Sequence, residues 1–523
     1  MAPFRAARRS RPVLTPPKSK FTAARSSFRP RAAPVSDQQV AMGGRNVRPS
    51  IHRIGMTMTF QELRRFVTVR LALASLIALS VATTGTFAAA KDGLPPISLP
   101  EQYESNTGDG TPVSNAPWWS VFGDPQLASL IERLHAANTT IAQARARLAA
   151  AEAAARAGRA SQGPFASVDA SATSVQGPLI NAAGESGNLY SGRMNVSWEV
   201  DVLDRLSGER AAERLDASAA AALLEDAKLL MEGRVVRTWL SLKALSAAQI
   251  DADRAVRLLQ EASVIMQRRR DIGQVALQEV DTAQSRLKAA LQHRSDLQLS
   301  HATAARELGF LLGETTPIFP AAAAEPTIQL PQIAAGLPSE LLVRRPDIAA
   351  ARSHLMAADQ RLVSARRGWL PTFGLTASGG AASSSLGQIL SGGAASLLLG
   401  ALFSIPVLDG ARQKARIAGR DAEVALADAR YRETVLSAVR DVNNHLQAYN
   451  NCKTVLSHAN EQEQSASSML AAANGRAKNG TIGRLALIDV EIMYIERTSA
   501  QIFIQTICYH NLADVLQSLG RAT

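Results

Sequence analysis

The chain matches itself when displaced by a constant 207 residues, and no gap is needed along the way. Ile141, Ala144, Arg145, Leu148 and Ala151 fall on Ile348, Ala351, Arg352, Leu355 and Ala358. Pro164 falls on Pro371, Ala170 and Ser171 on Ala377 and Ser378, and Ser197 and Val200 on Ser404 and Val407. Gly273 falls on Gly480, and Leu312-Gly313 on Leu519-Gly520. One ungapped offset of this kind marks a tandem duplication. Whatever the first copy folds into, the second must fold into as well.

Each copy reads in the same order: helix, two strands, long helix, Gly-marked turn, helix. The helices are expected near 126–160, 209–271 and 275–313, and again near 339–367, 411–478 and 484–519. The two central helices lack proline and are rich in Ala, Leu, Arg and Glu, which are good helix formers. About 65 residues at ~1.5 Å each make a rod near 100 Å, far too long for a compact globule. Alanine at many seam positions implies close, coiled-coil-like packing of these rods.

The strands alternate with period two. Over 165–175, Ala166, Val168, Ala170 and Ala172 face one way, and Ser167, Asp169, Ser171 and Thr173 the other. In the next strand Tyr190, Gly192, Met194, Val196, Trp198 and Val200 alternate with Ser191, Arg193, Asn195, Ser197, Glu199 and Asp201. The second copy repeats the pattern at 372–380, while 396–408 is more uniformly apolar. Such strands suit a transmembrane barrel with a wet lumen, and a half-buried soluble sheet would alternate in the same way. Between rods of membrane-spanning scale, and behind an export signal, the barrel reading gains. A lipid-exposed sheet tolerates no open edges, and a barrel needs about eight strands. Four per chain cannot close one, so the expected unit is an oligomer with a pore on its axis.

The formal net charge of +12 invites a nucleic-acid reading. Its location excludes one. Residues 1–90 hold fifteen Lys/Arg against Asp37 and Glu62, a net +13 that leaves −1 for everything after. The body of the chain carries no phosphate-binding footprint. Arg64, Arg65 and Arg70 form a basic n-region, Leu71 to Val81 an apolar run, and Phe87-Ala88-Ala89-Ala90 a small-residue cleavage site. The run is short for a membrane span, and a short anchor helix is its other reading. Residues 1–55 are Arg/Pro/Ser-rich and read as disordered; they sit badly ahead of a signal, which leaves Met42, Met56 or Met58 as alternative starts.

Only Cys452 and Cys508 are present, and neither follows the apolar run, so no lipid-accepting cysteine is expected there. Val435, Val439, Val442, Leu446, Tyr449, Cys452 and Leu456 form one seam, and Cys508, Leu512, Val515 and Leu519 another. Both thiols are expected as buried core positions rather than as a disulfide or metal site.

Several strings resemble the TolC-like outer membrane factors, specifically the NodT-type subunits of RND efflux systems. Trp118-Trp119, then Phe122-Gly123-Asp124-Pro125, Leu127 and Leu130-Ile131, look like the opening to the family's first helix. Ser197-Trp198-Glu199-Val200-Asp201 looks like the end of its second strand, and Ile405-Pro406-Val407-Leu408-Asp409-Gly410 like the exit of its fourth. The longest match runs from Gly336-Leu337-Pro338-Ser339-Glu340-Leu341-Leu342 through Arg345-Pro346-Asp347-Ile348, and Leu487-Ile488-Asp489 matches the segment after the last turn. The resemblance covers about residues 115–520. Three features depart from it: the missing acylation cysteine, Leu203-Asp204 where the family has an aromatic and a glycine, and Ala477 where an aromatic usually precedes the tip glycine.

The resemblance implies a mixed, mainly α fold: a duplicated α-helical coiled-coil barrel continued by a twelve-stranded transmembrane β-barrel, four strands from each protomer of a homotrimer. The expected segments are a basic extension (1–55), a signal peptide (56–90) and an N-terminal extended segment (91–125). A first repeat (126–313, strands ~163–176 and ~186–203) and a linker (314–338) follow. The second repeat is 339–520, with strands ~371–382 and ~396–408. The protein would sit in the outer membrane with a periplasmic helical tunnel, docked on a periplasmic adaptor and an inner-membrane pump, exporting small molecules such as drugs or metals. Related channels close with a leucine and an aspartate five and nine residues after the turn glycine, which places the gate at Leu485 and Asp489. Gly273, Val275, Gly480, Ile482 and Gly483 mark the tips and are the candidate adaptor contacts; plain turns would look the same. The barrel lumen would receive Asp169, Arg193, Asn195 and Glu199, and the lipid face Val168, Tyr190, Met194, Val196 and Trp198.

No nucleophile elbow, phosphate loop or dinucleotide fingerprint is present, and the eight histidines lack metal-ligand spacing. His445 and His458 read as ordinary surface or seam residues. Neither an enzyme nor a cofactor is expected, and no nucleic-acid partner. A type I protein-secretion duct and a secreted coiled-coil rod with a small soluble sheet remain the competing readings.

Overall fold

Residues 98–104, 117–175, 187–315, 330–333, 336–390 and 395–520 are described by a computed structural model. The extension expected at 1–55, the signal at 56–90, and most of the 91–125 and 314–338 stretches lie outside the described residues. The first repeat holds α1 (Pro125–Ala137), α2 (Thr139–Ala160), β1 (Phe165–Val175), β2 (Gly187–Val200), α3 (Arg205–Asp271) and α4 (Leu277–Leu311). The second holds α5 (Pro346–Arg366), β3 (Thr372–Ser383), β4 (Ala395–Ser404), α6 (Gly410–Lys478) and α7 (Arg484–Ser518). Displacing α4 by 207 residues lands on both ends of α7. The C-terminal ends of α3 and α6 coincide in the same way.

Three boundaries differ from expectation. The helix expected over 126–160 breaks at Asn138, which is extended (ψ 127°) and turns its side chain back to accept the Thr140 and Ile141 amides at 2.9 and 3.1 Å. Such a side chain caps a new helix better than it continues an old one. The helix expected over 339–367 is likewise divided, into a 3₁₀ turn Pro338–Glu340, a four-residue helix Leu341–Arg344 and α5, with Arg345 extended (ψ 123°) ahead of Pro346. A residue before proline avoids the helical region. Strand β4 stops at Ser404 rather than near 408, because Pro406 has no amide to continue the ladder.

The sheet is antiparallel in the order β1-β2-β3-β4. Below it the two repeats interleave. The upper helical layer packs in the order α2-α3-α5-α6, and the lower in the order α4-α3-α7-α6, so α3 and α6 run through both. In every layer four elements stand side by side, two from each repeat. The main apolar core lies where α3 and α6 pass the helix breaks, with Val235, Val236, Trp239 and Leu240 meeting Tyr431, Val435, Val442, Leu512 and Leu516. Lower down, Leu258 and Leu259 of α3 pack on Ile488, Ile492 and Ile495 of α7.

Cys452 of α6 and Cys508 of α7 form a disulfide, with Cα atoms 5.5 Å apart. This corrects the expectation of two free core thiols. Both positions are buried as expected, and the antiparallel pairing of the two helices brings their separate seams face to face, within the span a disulfide requires.

Candidate functional site

Entry to the first repeat is held by a buried polar cluster. Asp124 caps α1, its carboxylate accepting the Gln126 amide at 2.9 Å, the Trp239 indole N–H at 2.8 Å and Lys243 Nζ at 3.1 Å. Burial alone would raise this carboxyl; the hydrogen bonds from Trp239 and Lys243 outweigh it and hold the group below the usual range. Beside it, Trp118 Nε1 donates to Glu232 at 3.1 Å and His135 Nε2 lies 2.7 Å from the same carboxylate. The Trp-Trp and Phe-Gly-Asp-Pro string is therefore a clamp on α3. These partners on α3 carried no signal of their own in the sequence.

The strand wall is sided. Asp169 pairs across the ladder with Arg193 and Ser167 with Asn195, and Asn195 Nδ2 donates to Asp169 Oδ2 at 2.6 Å. Glu199 belongs to the same face and meets Arg205 at 2.5 Å. On the opposite face Val168 pairs with Met194, Ala166 with Val196 and Ala172 with Tyr190. Trp198 lies at the wall's base, its indole donating to the Gln162 carbonyl at 2.8 Å. Asp169, Arg193, Asn195 and Glu199 thus lie on one face of the wall, and Val168, Tyr190, Met194, Val196 and Trp198 on the other. On β4 alternation falters: Leu397, Leu399 and Phe403 join the apolar face, while Leu398 and Leu402 are paired with Ser378 and Gly374 of the polar one.

The wall turns into α3 through Asp201, whose carboxylate accepts the Leu206 and Ser207 amides at 3.1 and 2.8 Å. Asp204 stands in the left-handed region (φ 55°), and its carbonyl accepts Arg367 Nη1 at 2.7 Å. Aspartate tolerates this left-handed conformation better than most side chains, so the Leu203-Asp204 step can make the turn without a glycine.

At the far end the repeats close with matching turns. Gly273 (φ 74°) and Gly480 (φ 69°) end α3 and α6, and the next amides, Gln274 and Thr481, reach back to the Arg269 and Arg476 carbonyls at 2.8 and 2.9 Å. This helix ending requires a left-handed residue. Val275 and Ile482 are half-buried at equivalent places, and Gly483 is exposed. Leu485 is half-buried in the first turn of α7. Asp489 is exposed and accepts Arg286 Nη1 of α4 at 2.9 Å; nothing in the sequence pointed to that partner. Arg484 grips Glu261 of α3 through two bonds of 2.7 Å, which depresses the Glu261 carboxyl. Among the described residues no group of three His, Cys, Asp or Glu could hold a metal ion.

The outer membrane efflux protein family matches residues 130–314 and 337–520, two stretches whose starts are again 207 apart. The toluene efflux pump outer membrane protein TtgC of Pseudomonas putida is 26% identical over 381 residues, covering 72% of this chain and 78% of that protein. The outer membrane protein OprJ of Pseudomonas aeruginosa is 24% identical over 390 residues, covering 73% and 81%. The open state of the Neisseria gonorrhoeae MtrE outer membrane channel superposes with a TM-score of 0.72 at 22% identity, covering 82% of this chain and 98% of that one. With both repeats matched, the sided wall in place and the helical layers beneath it, this chain belongs to the outer membrane efflux protein family and is an outer-membrane channel protein.

Proposed function

We propose that three copies of this chain form the exit duct of a tripartite RND-type efflux system, receiving small molecules from an inner-membrane pump through a periplasmic adaptor. The observation that carries the assembly is that every layer is left with two edges: β1 and β4 in the sheet, α2 and α6 in the upper helices, α4 and α6 in the lower. An open sheet edge in a bilayer costs several kcal/mol per unpaired backbone group. Pairing β4 of one copy with β1 of the next removes that cost and closes the helical layers by the same rotation. Three copies supply twelve strands. The face with Asp169, Arg193, Asn195 and Glu199 then lines the lumen, and the face with Val168, Tyr190, Met194, Val196 and Trp198 meets lipid.

In the same reading Leu485 and Asp489 narrow the periplasmic end, and the turns at Gly273, Val275, Gly480, Ile482 and Gly483 meet the adaptor. Arg286 would hold Asp489 to its own protomer. The relatives' efflux substrates support a small-molecule cargo over a secreted protein, and its identity lies with the pump. The test is the mass of the detergent-solubilised protein together with single-channel recording. A trimer that conducts is expected; a stable lone monomer without conductance overturns the reading.

A further inference from the structure

The Cys452–Cys508 bond ties α6 to α7 in the second repeat, and the counterparts 207 residues earlier are Leu245 on α3 and His301 on α4. At that level of the first repeat the two helices meet through Leu297 packed on Ala248 and Ala252, through His301 Nε2 and Ser246 Oγ at 3.1 Å, and through Gln249 Nε2 donating to the Leu297 carbonyl at 3.2 Å. Hydrogen bonds of this kind exchange for others, or for water, as helices slide past each other. A covalent bond does not.

The upper end of α7 is fixed as well, because Arg345 Nη1 donates to the Ser518 carbonyl at 3.0 Å. Below the disulfide, roughly 25 residues of each helix run down to the Gly480 turn, an arm of about 35–40 Å. That arm meets the first repeat through Ile488, Ile492 and Ile495 packed on Leu258 and Leu259, through the water-open pairs Glu261–Arg484 and Arg286–Asp489, and through Ser499 donating to Asp251 at 3.2 Å. The solvent-exposed ion pairs add little to that apolar contact.

We propose that the disulfide locks the register of α6 against α7, so that the lower hairpin of the second repeat moves as one unit, whereas α3 and α4 hold their register by non-covalent contacts alone. The consequence for transport rests on the duct reading: a push at the Gly480 turn reaches Leu485 and Asp489 without being absorbed as slippage between the two helices. The register lock itself does not depend on that reading.

The test measures distances in the purified full-length protein, using spin labels on unnatural amino acids so that the native cysteines are untouched. One pair of labels sits at Gln464 and Glu496 across the second hairpin, the other at Arg257 and Ala289 across the first; all four positions are exposed. Replacing the bond with Cys452→Ala and Cys508→Val should widen the 464–496 distance distribution at least twofold and leave 257–289 unchanged. Building a bridge in the first repeat with Leu245→Cys and His301→Cys should narrow the 257–289 distribution. An unchanged 464–496 width in a variant with the parent's circular dichroism and oligomer size overturns the proposal. Should that variant fail to fold, the added bridge decides, and a 257–289 width it leaves unaltered is equally fatal. Neither readout involves conductance, so a failed channel recording would count against the duct and not against the lock.

Discussion

Asn138 donates from Nδ2 to the Leu311 carbonyl at 2.8 Å, and Arg345, its counterpart 207 residues on, donates from Nη1 to the Ser518 carbonyl at 3.0 Å. Each thereby ties the last turn of its repeat's final helix to the break where its first long helix begins. Each break also needs its own capping carbonyl group. In the first repeat the Asn138 side chain supplies it to Ile141; in the second Asp347 supplies it to Ile348 at 2.8 Å while gripping Arg345 Nε and Nη2 at 3.0 and 2.6 Å. One neutral side chain in the first copy thus does what an ion pair does in the second.

The two joints should differ in what they cost to break. Asn138→Ala removes a cap and one bond to a carbonyl, and is expected to cost about 1–2 kcal/mol. Arg345→Ala leaves the largely buried Asp347 without its cation and is expected to cost about 3 kcal/mol or more. Thermal scans of the solubilised protein at one fixed rate should show the larger fall for Arg345→Ala; equal falls would contradict the assignment.

Asp226 of α3 gives the second joint a pH dependence. Burial first, then the negative Asp347, push its carboxyl from 3.8 up to about 6, against the pull of Arg345. A carboxyl whose folded value is raised binds its proton more tightly in the native state, so its contribution is present at low pH and lost as pH rises from about 4 through about 6. Asp226→Asn should therefore leave stability at about pH 3.5 nearly unchanged and raise it at pH 8, by about 1–2 kcal/mol after allowance for partial exposure. Melting curves at the two pH values check this, and a variant less stable than the parent at pH 8 would refute it.

Gly313 and Gly520 follow the two C-terminal helices with φ of 72° and 80°. A Cβ at either would stand 2.8 Å from a backbone oxygen, that of Ala137 in one repeat and of Arg344 in the other. Gly313→Ala and Gly520→Ala should each cost about 1–3 kcal/mol through backbone strain and the clash together. Unfolding of the single variants measures it, and the two losses should be similar because the surroundings repeat.

Arg286→Ala frees Asp489 from the first repeat, and Leu485→Ala with Asp489→Ala removes the side chains proposed to narrow the periplasmic end. In planar bilayers both variants should conduct more than the parent at low voltage, several-fold for the double variant. The arginine variant should keep the parent's thermal stability to within about 1 kcal/mol, since an exposed pair contributes no more than that. Conductance at the parent's level in both would remove Leu485 and Asp489 from the gate.

The duplication, the rods, the sidedness of β1 and β2 and the Gly-marked turns were legible in the residues alone. They arise from periodicity, from helix propensity and from backbone conformations that glycine favours, all of which act within a few residues of chain. Even the disulfide left a trace, because Cys452 and Cys508 stand 28 residues either side of Gly480, as an antiparallel hairpin folded at that glycine would require. What tertiary structure decided was the company each side chain keeps. The ties of Asn138 to Leu311 and of Arg345 to Ser518, the buried partners Glu232 and Lys243, the pairing of Arg286 with Asp489 and the raised carboxyl of Asp226 all depend on helices far apart in sequence arriving at one place. Burial and charge at such a place are sums over several chain segments, so no single stretch of the sequence carries them.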